Sequence, residues 1–149
     1  MASYCNEDDM EKIRPKIMEL GVDGWDDQIA EADAVIDRVL ETRWYRKAAE
    51  DMGLDFRETP FNRDQLLEQV TQCTRLGCYK TLELAYLYLM KDAAEADAFE
   101  RQAKTFRELY TKELSEVLAT GLTYDWDADG EITDTTEVLV PVTRRLARC

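Results

Sequence analysis

The sequence contains no histidine, so the commonest general base, and the usual partner of a serine or cysteine nucleophile, is missing. A glycine-rich phosphate loop is also absent, and the paired acids Asp26 and Asp27 read as a helix start. The chain is therefore expected not to be an enzyme. Its four cysteines, Cys5, Cys73, Cys78 and Cys149, form no CxxC pair, which argues against structural zinc and for reduced thiols; no cofactor is implied. Nowhere is there an uncharged apolar run of the ~18 residues that a membrane span needs, and the start MASYCNEDDMEK has neither the basic flank nor the apolar core of a secretory signal. A soluble protein made in a cytoplasm is expected. Basic residues are scarce too: 19 Lys and Arg against 32 Asp and Glu leave a net charge of −13. Affinity for nucleic acid comes largely from Lys and Arg, so the chain is expected to stand near DNA, if at all, without gripping it.

What is present is helix. At 149 residues and 45% hydrophobic the chain can bury a core of its own. Its organising stretch is NRDQLLEQVTQCTRLGCYKTLELAYLYLM, Asn62 to Met90, whose apolar residues Leu66, Leu67, Val70, Cys73, Leu76, Leu82, Ala85, Tyr86, Leu89 and Met90 keep the spacing of a buried stripe. Asn62 followed by Gln65, just after Pro60, reads as a capping-box start, giving a rod of about 40 Å. Cys73 and Cys78 lie about 140° apart around that rod and should not bridge each other. Gly77, inside it, marks either the close approach of another backbone or an incidental surface position.

The flanking segments supply the rod's partners. A first helix is expected over Asn6 to Leu20, capped by Asn6, with Met10, Ile13 and Ile17 inward and a kink or restart at Pro15. A second begins near Trp25 and Asp26, with Ile29, Ala32, Ile36, Val39, Leu40 and Trp44 on one face and Asp33, Asp37 and Glu41 on the other, and runs weakly to Gly53. A fourth starts at Asp92 and Glu95 and carries Phe99, Ala103, Phe106, Tyr110, Leu114, Val117 and Leu118 to Gly121. The short link makes the last two helices antiparallel. The fold class is all-α: a small antiparallel bundle over residues 1–121, then an acidic hairpin and an extended basic arm over 122–149.

The tail changes both period and charge. Asp125, Asp127, Asp129, Glu131, Asp134 and Glu137 are acidic, whereas Arg144, Arg145 and Arg148 are the only charges after Val138. Such a basic end is either disordered or reaches for a partner, a protein carboxylate suiting its arginines better than DNA does. DWDADGEI, Asp125 to Ile132, matches the first eight positions of an EF-hand calcium loop, with Asp125, Asp127 and Asp129 as weak metal-ligand candidates. Thr136 occupies the place of the bidentate twelfth ligand, Glu137 comes one residue late, and VLVPV cannot form the second helix. The competing reading is a tight turn at Asp129 and Gly130, flanked by Tyr124, Trp126 and Ile132.

Taken together, the helix DDQIAEADAVIDRVL, the long NRDQLLEQVTQCTRLGCYKTLELAYLYL and the ending YDWDADGEITDTTE with RRLARC resemble the head-to-tail connector (adaptor, or head completion) proteins of tailed bacteriophages. The resemblance spans nearly the whole chain, and the C-terminal ending weighs most. It implies a homo-oligomeric ring, a dodecamer, in the neck of the virion between capsid and tail, assembled in the host cytoplasm. The ring's partners would be the portal protein and a tail-side stopper, neck or tail protein, and DNA would pass through without specific binding or any membrane being involved. The C-terminal arm would dock the portal through Val138, Leu139, Val140, Arg144, Arg145, Leu146 and Arg148. An acidic wall suits the passage of DNA, and arginine suits an interface anchor. Two other readings stay open: a calcium-responsive binding module using the DxDxDG loop, and a small acidic regulatory protein that occupies a basic partner.

Overall fold

The computed structural model describes residues 2–66, 69–91 and 96–131, without the side chains of residues 69–71. Over these residues the chain is an all-α bundle, with β-structure limited to isolated pairing such as the antiparallel bridge between Leu66 and Tyr124. Helix α1, Glu7–Ile13, opens on a capping box: the Asn6 side chain accepts from the Asp9 N–H at 2.9 Å, and the Asn6 N–H donates to the Asp9 carboxylate at 3.3 Å. The expected helix to Leu20 stops at Ile13. Pro15 lacks an N–H and pushes Arg14 out of the helical region, so the chain resumes only as a 3₁₀ turn, Ile17–Glu19, before Gly21 at φ +79°.

Helix α2, Asp26–Leu40, and α3, Arg46–Asp51, are one rod joined by a π turn, Glu41–Tyr45, in which the Arg46 N–H reaches the carbonyl of Glu41 five residues back. Trp44 and Tyr45, neighbours in sequence within this turn, are both fully buried, together with Leu40, Ala48 and Ala49. The rod ends in a Schellman motif: Gly53, at φ +75°, donates to the Glu50 carbonyl, Leu54 donates to that of Ala49, and Leu54 packs on the core.

The central helix is shorter than its sequence pattern. Helix α4 runs Gln69–Leu89, while Asn62 caps only a 3₁₀ turn, Arg63–Gln65, and Leu66 is extended. Tertiary bonds override the capping box at this point. The Asn62 N–H goes to the Tyr124 hydroxyl, and Gln65, which should have reached back to Asn62, gives its amide to the Asp125 carbonyl at 2.8 Å. Helix α5, Ala96–Thr120, packs along α4, which also meets α1 and α2; the expected cap at Asp92 and Glu95 lies outside the described residues. Of the expected α4 stripe, Cys73, Leu76, Leu82, Ala85 and Tyr86 are buried, as are Leu66 and, unforeseen, Cys78.

Two core clusters share this frame. One, at the π-turn end, gathers Trp44, Tyr45, Leu66, Leu114, Leu118, Leu122 and Tyr124; the other, beside α1, gathers Met10, Ile17, Trp25, Leu82, Tyr86 and Phe106. Tyr79 packs against both. Gly77 marks a close backbone approach, the first of its two readings. A Cβ there would lie 2.7 Å from the Tyr4 Cβ and 3.3 Å from the Cys5 nitrogen, so the N-terminal segment lies directly on α4 because residue 77 has no side chain.

Candidate functional site

After Gly121, at φ +94°, the chain turns back across the end of the bundle as a buried strap, in which Leu122, Thr123, Tyr124 and Asp125 are each at most 3% exposed. Two glutamines hold it. Gln72 of α4 accepts from the Thr123 N–H at 3.1 Å and donates to its hydroxyl at 3.2 Å; Gln65 accepts at its carbonyl from the Asp125 N–H at 2.8 Å and donates its side-chain amide to the Asp125 carbonyl. The rings do the rest: Tyr124 meets Trp126 at 4.7 Å between centroids, and Trp126 stacks on Tyr45 at 5.7 Å with 13° between the planes. Each such pair adds roughly 0.5–1.5 kcal/mol beyond its buried area.

The strap ends in the acidic loop. Asp125, Asp127 and Asp129 come together, each offering a carboxylate oxygen within 4.8 Å of the others. That span is about twice a Ca²⁺–oxygen bond, so one hard cation could touch all three. Two left-handed residues fold the loop this way, Ala128 at φ +60° and Gly130 at φ +83°. The carboxylates also serve the turn itself: Asp125 accepts from the N–H groups of Gly130 at 2.8 Å and Asp129 at 3.2 Å, Asp127 accepts from Asp129, and Asp129 accepts from Glu131. Burial works to raise the Asp125 carboxyl, but the Gly130 N–H, a hydrogen bond with Asp127 and the N–H groups of Asp129 and Ala128 outweigh it and hold the group below the ordinary range. Ile132, Thr136 and Glu137, which the EF-hand and turn readings invoke, lie outside the described residues, as do the arm positions Val138, Leu139, Val140, Arg144, Arg145, Leu146 and Arg148.

No protein-family model, curated protein or solved structure matches the chain. Its site must speak for itself.

Asp33 and Asp37 depart from their expected place on the outer face of the second helix. They and Arg63 form an ion-pair hub with little solvent. The guanidinium meets Asp37 in a fork at 3.1 and 2.8 Å, Asp33 at 2.9 Å and the Ala2 carbonyl at 3.1 Å, and lies over the Tyr4 ring at 5.1 Å. Asp33 also accepts from the Tyr4 N–H, and Asp37 from the Tyr4 hydroxyl at 2.6 Å. Burial, then that bond to Asp37, raise the Tyr4 hydroxyl far above its ordinary pKa. Helix periodicity could not reveal this hub, because the arginine that draws both acids inward belongs to a different element. Another buried acid, Glu83 of α4, pairs with Lys80 at 3.1 Å and with Arg107 of α5 at 3.0 Å, tying the two longest helices together.

Proposed function

We propose that the protein is a structural interaction protein, the neck adaptor of a tailed bacteriophage. It forms a ring, a dodecamer, between the portal and the tail-side stopper or tail proteins, and docks the portal through residues 138–149, with Arg144, Arg145, Leu146 and Arg148 as anchors. The observation that carries this reading is the strap. A docking arm transmits its attachment only if its root is fixed, and here the root is locked into the bundle by Gln65, Gln72, Leu66 and the Trp44, Tyr45, Tyr124 and Trp126 rings. A net charge of −13 also fits a channel wall that DNA passes without sticking. The test is electron microscopy of portal rings mixed with the full-length chain and with a chain ending at Glu137. The proposal expects a ring of copies under the portal with the first and none with the second; equal binding of both would refute the arm, and binding of neither would refute the adaptor.

The acidic loop supports a second reading, a calcium-responsive module, because three carboxylates converge within one cation's reach. Trp126 follows Asp125 directly and reports on the loop. A saturable change in its fluorescence below millimolar Ca²⁺, lost in Asp127→Asn, is the expected result; an unchanged spectrum at millimolar Ca²⁺ removes this reading.

A further inference from the structure

Helix packing presses the N-terminal segment onto α4 at Gly77, where the two backbones come as close as packing allows, and this places Cys5 beside the residue that follows the glycine, Cys78. Both are buried in the same core cluster, at 3% and 1% exposure, and each thiol perturbs the titration of the other. The Thr81 hydroxyl stands 3.4 Å from the Cys5 sulfur and donates to the Gly77 carbonyl, so the helix turn carrying Cys78 and the segment carrying Cys5 are held in one register. The pair is thin-walled. Cys5 lines a surface cavity of about 410 Å³ with Ser3, Asn6 and Asp26, and Cys78 lines a separate one of about 380 Å³ with Lys12, Thr74 and Arg75. Each cysteine thus borders a surface cavity on its own side of the pair.

We propose that Cys5 and Cys78 are an oxidation site, at which a small disulfide of the glutathione type converts two thiols into one disulfide and clasps the N-terminal segment to the central helix. In the first step the Cys5 thiolate attacks one sulfur of the oxidant and forms a mixed disulfide, releasing one thiolate. In the second, Cys78 loses its proton to that released thiolate and attacks the Cys5 sulfur, expelling the other half of the oxidant as its thiol or thiolate. Two protein thiols are oxidised by two electrons in all, and one small disulfide is reduced to two thiols. Forming the bond brings the two sulfurs to about 2.05 Å, a closure that side-chain rotation has to supply.

The environments assign the roles. The hydrogen bond from Cys78 holds the Cys5 thiol below its ordinary range, against burial, and Thr81 helps. The same bond pushes the Cys78 thiol far up, and burial adds to it. Cys5 is thus the attacking group and Cys78 the resolving one. For Cys73 burial leads: it pushes the thiol up to about 12, which makes it an internal control.

The experiment uses the folded full-length chain, incubated with oxidised glutathione or with diamide, alkylated in denaturant and mapped by mass spectrometry. The free thiol count of four should fall by two, with Cys5 and Cys78 recovered in one cross-linked peptide and Cys73 still alkylated. The melting temperature should rise by about 10 °C, since the clasp closes a long loop, and fall back with reductant. Cys78→Ala should stop at the mixed disulfide on Cys5, and Cys5→Ala should leave Cys78 unmodified. Four alkylated cysteines after either oxidant, or a cross-link joining any other pair, would overturn the proposal, and both are read on the wild-type chain whether or not the variants fold.

Discussion

Arg63 is the residue on which the most separate pieces of chain depend, because its guanidinium joins Asp33 and Asp37 of α2 to the carbonyl of Ala2 and the ring of Tyr4. Its side chain is 11% exposed and that of Asp33 is 7% exposed, so solvent screens this pair little. Arg63→Ala leaves Asp33 buried without its cation and should cost on the order of 3–5 kcal/mol in urea unfolding. Arg63→Lys should recover only part of this, because a single ammonium cannot serve both carboxylates in a fork. Asp125 sets a pH dependence of known sign. Its folded pKa is depressed, so the stability it contributes is fully present above about pH 4 and is lost as pH falls through the lower folded value. Acid titration of the wild type should therefore loosen the strap, read from Trp126, in a step that Asp125→Asn removes. At this scale the sequence was legible where the partner is local: Asn6 caps the first helix and the three loop aspartates stand together as their spacing implies. Arg63, Gln65 and Gln72 were not legible, since each acts on a residue far away in the chain.

Among the elements, helix type could be read from periodicity and helix ends could be read only where the terminator is in the chain itself. Pro15 and Gly53 are such terminators, and both act near where the sequence places them, Pro15 by breaking the first helix and Gly53 by closing the third. The start of α4 is not of this kind, because Gln65 is taken by the strap, and neither is the π turn, which no local residue of the sequence marks. Gly77 is the element-level position with the sharpest consequence. Gly77→Ala forces its Cβ to within 2.7 Å of the Tyr4 Cβ, and the Tyr4 carbonyl carbon follows at 3.2 Å, so the N-terminal segment must move as a whole. About 1–3 kcal/mol of destabilisation is expected, with hydrogen exchange rising first at the Tyr4 and Cys5 amides.

For the molecule as a whole, the all-α bundle and its dependence on one central helix were legible, but the extent of its core was not. Composition changes at Gly121, whereas the core continues through Leu122 and Tyr124, which are 0% and 1% exposed. A chain ending at Gly121 loses both side chains together with Trp126, and by large-to-small analogy this removes about 5 kcal/mol or more. It should unfold without cooperativity on heating, whereas a chain ending at Glu137 should melt like the full-length protein; circular dichroism distinguishes the two.

The strap also fixes where a mechanical load enters the protein. Tension applied to the residues beyond Glu131 cannot reach the end of α5 until it has passed the bonds of Asp125 to Gln65 and of Thr123 to Gln72. The force is thereby diverted from the last turn of one helix to the segment that leads into the central one. A pull on the C-terminus should first release a short length of chain, about 10 residues or some 30 Å, and only then unravel the bundle.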